Sequence, residues 1–157
     1  MVKRHMVHFG VPRQSPYVSA SALECMVGLV LIRTPSVTNV ATVSFASEGA
    51  HHPTTMWISL EKNSYSHELV HDTRRFTFVV LHNGQRDLAW ACGLTSGRQH
   101  DKCRVLHLFD YGSEFLFCSE GMTNTACRVR SMTDLDTHTL FIADLVGGDM
   151  NSRHLNR

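Results

Sequence analysis

The sequence predicts a mainly β protein, a β-barrel with short covering helices. Seven segments are rich in β-branched and aromatic residues, or alternate apolar with small polar residues, as strands do. Only two segments, 64–73 and 85–92, read as helices. Strands and helices do not alternate and no G-x-G-x-x-G occurs, so neither a βαβ repeat nor a Rossmann dinucleotide site is expected.

Residues 1–24 are basic and serine-bearing, with no acidic residue before Glu24. Pro12 and Pro16 interrupt any long helix and there is no apolar h-region, so this stretch reads as an irregular N-terminal arm on a cytoplasmic protein rather than a targeting signal. The longest apolar run, 26–32, contains Gly28. It falls well short of the roughly 20 residues a bilayer crossing needs, and suits a buried strand. Segment 37–47 alternates, with Val37, Val40, Val43 and Phe45 among small polar residues. Segments 55–60, 76–81, 103–109, 125–132 and 139–146 complete the strands. Turn chemistry separates them at "SEGAHHP" (47–53), "HNGQ" (82–85) and "MTDLDTH" (132–138). The first helix ends beside Arg74 and Arg75, where the helix dipole favours cations. The second meets Gly93, placed to terminate it.

The 157 residues fit one domain with a real core. A net charge of +1 gives no reason to expect nucleic acid or an anionic membrane as partner. The five cysteines, Cys25, Cys92, Cys103, Cys118 and Cys127, are odd in number and form no C-x-x-C, against a disulfide framework or structural zinc. Each sits among apolar neighbours, as a small buried hydrophobe does.

Residues 67–71 read H-E-L-V-H, the pattern by which a helix can hold zinc. His67 and His71, four apart, share one side of the 64–73 helix, opposite Tyr65, Leu69 and Val70. A catalytic zinc needs three protein ligands, and the residues after His71 supply no third histidine. Arg74 and Arg75 bring positive charge to the next turn, and the chain holds 11 histidines. A coincidental match on a solvent-facing helix side is the expectation. No metal ligand is assigned, and a zinc hydrolase stays a remote alternative.

Four segments form a better-matched constellation: "NVATVSFAS" (39–47), "ISLEKNSYSHELV" (58–70), "GLTSGRQHDK" (93–102) and "DLDTHTLFIADLV" (134–146). Their order and character resemble the flavin reductase-like family of FMN-binding split barrels. That family has a strand ending like "ATVSFAS", a proline-bearing loop, a strand like "MWISL", a short helix, a strand like "RRFTFVVL", a "SGR..DK" element and a C-terminal "DHTLFIGEV". The resemblance spans 27–146.

The resemblance implies a split β-barrel domain over 25–147, followed by a tail over 148–157. It also implies a homodimer with FMN at or near the subunit interface. The implied activity is hydride transfer from NADH or NADPH to flavin, with a monooxygenase as possible consumer of the reduced flavin. A non-catalytic or electron-carrying FMN-binding protein is the alternative. A helix N-terminus offers free N–H groups to a phosphate, and Lys62, Asn63, Ser64 and Ser66 add a charge and hydroxyls there. Ordinary N-capping accounts for Ser64 alone. By resemblance, Asn39, Thr42, Val43, Ser44 and Ser59 lie along the isoalloxazine slot, while the loop of Ser96, Gly97 and Arg98 approaches the flavin. His138 matches the histidine of "DHT", at the mouth of the site and in the catalytic role of positioning nicotinamide or modulating a proton. Trp57 and Trp90 read as core. The sequence departs from the family at "SEGAHHPTT", at Ala143-Asp144 and in the arm.

Overall fold

The computed structural model describes residues 27–150. The arm, Cys25, Met26 and residues 151–157 lie outside them. Nine strands and two α-helices follow one another: β1 (Gly28–Arg33), β2 (Thr38–Val43), β3 (Ala46–His51), β4 (Thr54–Glu61), α1 (Tyr65–Thr73), β5 (Arg75–Val80), α2 (Arg86–Gly93), β6 (Leu108–Tyr111), β7 (Phe115–Cys118), β8 (Thr123–Leu135) and β9 (His138–Met150). Short 3₁₀ helices at Asn83–Gln85 and Lys102–Val105 flank α2.

Seven strands form one antiparallel sheet in the order β2-β1-β5-β8-β9-β4-β3. Its two edges, β2 and β3, are consecutive in the chain with only Ser44 and Phe45 between them. A flat sheet of this order would hold its edges about 29 Å apart. Three Cα steps span at most about 11 Å, so the sheet has to roll until its edges meet. The Ser59 N–H donates to the Phe45 carbonyl at 2.9 Å, carrying the β3–β4 pairing up to the crossing, while β2 and β3 form no ladder with each other. This is the mainly β architecture the sequence predicts.

The apolar patterns fill two larger cores and a small cluster of Phe115, Phe117 and Ala126. Val30 and Ile32 of β1 point inside, against Ile58, Val70, Phe76, Phe78 and Phe141. Leu29 and Leu31 point to the other face, against Val40, Val79, Cys92, Leu106 and Cys118, beneath α2 and the 3₁₀ helix after it. Burial on both faces explains the unbroken apolar run. The β6–β7 hairpin is tied on by Glu114, which takes Arg75 Nη1 at 2.5 Å and also pairs with Arg128.

Several boundaries differ from expectation. Segment 37–47 breaks at Ser44-Phe45 into β2 and the start of β3, because the chain there steps from one sheet edge to the other. "SEGAHHP" is mostly β3, with the turn confined to His52-Pro53. Segment 103–109 opens as a 3₁₀ helix: Asp101 accepts from the Cys103 N–H at 3.1 Å, and Leu106 N–H returns to the Cys103 carbonyl. "MTDLDTH" is likewise largely strand, since β8 and β9 form a long hairpin whose turn is only Asp136-Thr137. There Asp134 accepts from the Asp136 N–H at 2.8 Å, steadying Asp136 at φ 61°. Strand β9 continues past 147 to Met150. Gly93 belongs to α2, and the cap is Leu94 in right-handed geometry. Strand β7 was not expected; "FLFC" is short for a strand signal. No helix among the described residues is long and apolar enough to cross a membrane.

Candidate functional site

A cavity of about 440 Å³ opens where the β2–β3 crossing, β4, the N-terminus of α1, the loop after α2 and the start of β9 converge. That is a size an organic cofactor uses. Of the predicted residues it gathers Thr42, Val43, Ser44, Ser59, Asn63, Ser64, Ser66, Ser96, Gly97 and His138 into its wall. Four separate stretches of chain are thereby joined into one site.

The hydroxyls at the α1 end are set up as donors. Ser64 is the N-cap and its Oγ accepts from the His67 N–H at 3.1 Å. Ser66 Oγ, buried, accepts from Asn39 Nδ2 at 3.0 Å. A serine hydroxyl that accepts from the protein keeps its own proton for another acceptor. Both face a cavity at a helix N-terminus, where N–H groups and the dipole favour an anion.

The cation of the site is Lys102, which the prediction left out. It lines the cavity, is only 9% exposed, and donates to the Cys92 carbonyl at 2.7 Å. An ammonium has three donors, and no carboxylate pairs with this one among the described residues. Burial pushes its pKa below the ordinary 10.5. A buried, half-satisfied cation facing a cavity calls for an anionic ligand. Lys102 ends the "SGRQHDK" element, so the motif contained the signal. Sequence position points to Lys62, which stands beside the helix start, rather than to Lys102.

Lys62, Arg98 and Asn39 do not line the cavity. Lys62 Nζ reaches Asp134 Oδ2 at 2.7 Å and holds that carboxyl below its usual range. The backbone N–H of Lys62 donates to the Thr137 carbonyl, so this residue fastens the entry of α1 to the β8–β9 turn. Arg98 pairs with Glu68 and lies 4.8 Å above the Tyr65 ring, strapping the 94–101 loop onto α1. Asn39 stands behind the wall. A Cβ on Gly97 would meet Asn39 Oδ1 at 1.9 Å, so only glycine lets the loop close over the Asn39–Ser66 pair.

The remaining polar groups are more committed. Thr42 Oγ1 donates to the Ala89 carbonyl at 2.5 Å, binding β2 to α2. Ser96 Oγ accepts from the Arg98 N–H. His138 packs edge-on to Phe45, ring centres 6.0 Å apart, with Nδ1 2.9 Å from Thr137 Oγ1. Phe45, Leu94 and Thr95 add to the wall without having been expected there; Phe45, an apolar residue beside a strand, gives no polar signal.

The H-E-L-V-H stretch gets a structural explanation. His67 is half-buried rather than on the outer face. Its Nε2 lies 2.8 Å from Thr139 Oγ1 and its ring packs edge-on to Phe141, so it fixes α1 to β9. His71 is exposed and turns to Asp72. Among the described residues, no group of three or more His, Cys, Asp or Glu could hold a metal. Leu69 and Val70 are buried as expected. Trp90 departs from its expected core role: it is 57% exposed.

The fold matches solved structures at low identity. An FMN-binding protein from Thermus thermophilus, with bound 1-cyclohex-2-enone, superposes with a TM-score of 0.82 at 18% identity, covering 92% of this chain and 80% of that one. The NADH:FAD oxidoreductase of Streptomyces globisporus C-1027 gives 0.74 at 16%, covering 81% and 76%. The styrene monooxygenase flavin reductase of Pseudomonas putida S12 gives 0.73 at 19%, covering 83% and 82%. No curated protein matches the sequence. The profile of the flavin reductase like domain matches residues 23–157, and with the rolled sheet and its polar cavity this shows that the chain belongs to the flavin reductase-like family.

Proposed function

We propose that the protein is an NAD(P)H-dependent flavin reductase that binds FMN in this cavity. The buried ammonium of Lys102, facing the cavity with spare donors, carries the reading. Together with the hydroxyls of Ser64 and Ser66 it forms a donor set suited to a phosphate. Asn63 and Ser59 also line the cavity, and at the β2–β3 crossing Val43 and Phe45, with Ser44 between them, offer apolar surface for an isoalloxazine ring.

Bound flavin would supply the redox chemistry, as the two-electron acceptor of a hydride from the nicotinamide, which would leave oxidised. The chain's own residues bind, orient and shield. Lys102, Ser64 and Ser66 hold the anionic end. Phe45 and Leu94 reduce water access. His138, at the mouth beside Phe45, positions the incoming ring or holds a proton near it. Reduced flavin would then serve a partner monooxygenase.

The same reading includes a homodimer. Phe45, Trp57, Leu135, Leu140 and Ile142 form an apolar face beside the cavity, and Phe45, Ser59 and His138 belong to both. Contiguous exposed apolar surface marks an interaction site, and a second copy there would complete the mouth of each cavity.

The test is purified protein given excess FMN, desalted, and assayed with NADH and NADPH. Retained flavin and nucleotide oxidation above the free-flavin background are expected. Retained flavin without oxidation of either nucleotide would leave an electron-carrying FMN protein; no flavin binding would sink both.

A further inference from the structure

A second groove, of about 770 Å³, shares Thr42, Ser44, Gly93 and Leu94 with the flavin cavity and runs out along α2. Its walls carry Arg86, His82 and Trp90 and no carboxylate. Arg86 and Trp90 lie one turn apart on α2 and so share a side. Arg86 is exposed and its guanidinium has no ion pair or hydrogen bond among the described residues; its neighbour Asp87 is not in the lining. Trp90 at 57% and Leu94 at 68% are among the more exposed large apolar residues. An indole face and an unpaired guanidinium at helical spacing fit a planar ring that bears an anionic group.

We propose that this groove is the adenosine subsite of the nicotinamide cosubstrate, that Trp90 stacks the adenine, and that Arg86 pairs with the 2′-phosphate, making NADPH the preferred donor. This rests on the flavin reductase reading. The groove borders the wall given above to the isoalloxazine ring, through Thr42 and Ser44, and not the Ser64–Ser66 end. A ligand filling it therefore approaches the ring side of the flavin, as a hydride donor must. Arg86 supplies a bidentate fork for a phosphate dianion, whereas the 2′-hydroxyl of NADH offers it no charge.

Fragment binding to the FMN-loaded full chain tests this without turnover. Adenosine 2′,5′-bisphosphate is expected to bind at least about tenfold more tightly than adenosine 5′-monophosphate, the scale of one charge-assisted contact. Arg86→Gln should abolish that difference, and Trp90→Leu should weaken both fragments, with FMN retention unchanged in each variant. In steady state, Arg86→Gln should raise the KM for NADPH to that for NADH while kcat holds. Fragments that bind equally or not at all to FMN-loaded wild type overturn the proposal alone, as does a preference that survives Arg86→Gln. Failure to load FMN overturns the flavin reading, and this subsite with it.

Discussion

At the scale of single residues, the site depends on one contact too close for a methyl group and one buried charge. Gly97→Ala places its Cβ within 1.9 Å of Asn39 Oδ1. The loop or the Asn39–Ser66 hydrogen bond must give way, and we expect FMN affinity, measured by fluorescence titration, to fall by at least about tenfold, with Asn39 left less satisfied. The two lysines separate cleanly. Lys102→Met removes the buried donor and should cost about 1.5–3 kcal/mol of FMN binding. Lys62→Ala removes only a half-exposed pair with Asp134 and should cost about 0–1 kcal/mol of stability with little effect on FMN. Equal losses in the two variants would contradict this assignment. Lys102 also sets a pH dependence. Its pKa lies below 10.5 in the folded protein, and phosphate favours the charged form. FMN affinity should therefore decline as pH rises through that lowered value, below 10.5, and Lys102→Arg should remove the decline, since arginine stays charged.

At the scale of elements, α1 carries the proposed anion-binding end and is also a part that can be loosened. His67 joins it to β9 through Thr139 and Phe141. Burial first, then His71 and Lys62, hold the His67 pKa below its ordinary 6.5. Between the two values the unfolded chain carries a proton that the folded chain does not, so stability falls as pH drops through that window. Thermal unfolding followed from pH 8 to pH 4.5 should show this loss, and His67→Gln should flatten it; an unchanged slope would remove His67 as its source. Helix α2 and the 3₁₀ helix after it cover a core holding Cys92 and Cys118, with Cys103 packed against it. Burial pushes Cys103 and Cys118 up to about 11 and Cys127 to about 12, so thiolate is scarce at neutral pH. The buried Cys92, Cys118 and Cys127 should label with a disulfide reagent only at the rate of unfolding. Fast labelling of any of them in native protein would show local opening.

At the scale of the whole molecule, the rolled sheet brings an edge strand, a helix start and a loop from distant parts of the sequence around one cavity. The apolar face of β4 and β9 beside it sets the expected assembly. Ile142→Arg on that face should yield monomers by sedimentation and weaken FMN binding in parallel, since Phe45, Ser59 and His138 lie at the common border. A monomeric wild type would show that the face has another use.

Much of this was legible in the sequence. The period of the strands gave the mainly β class, because alternation and β-branched residues report which faces are buried whatever the topology. The hydroxyl-rich strand 39–47, the serines at the start of α1 and the glycine of the 94–101 loop were readable as candidates because their chemistry is local, and the fold brings Thr42, Ser44, Ser64, Ser66 and Gly97 to one cavity wall. The sequence could not say that β2 and β3 are the two edges of one sheet, since edge status is decided by pairing between distant strands. It could not choose between Lys62 and Lys102, because a lysine's worth to an anion depends on whether a carboxylate already occupies it and whether water is excluded. Asp134 meets Lys62 from 72 residues away, while the Cys92 carbonyl holds Lys102 at the cavity wall. Nor could it show that His67 spends its ring on Thr139, or that Trp90 is left facing solvent. Those are facts of packing, and only the folded chain settles them.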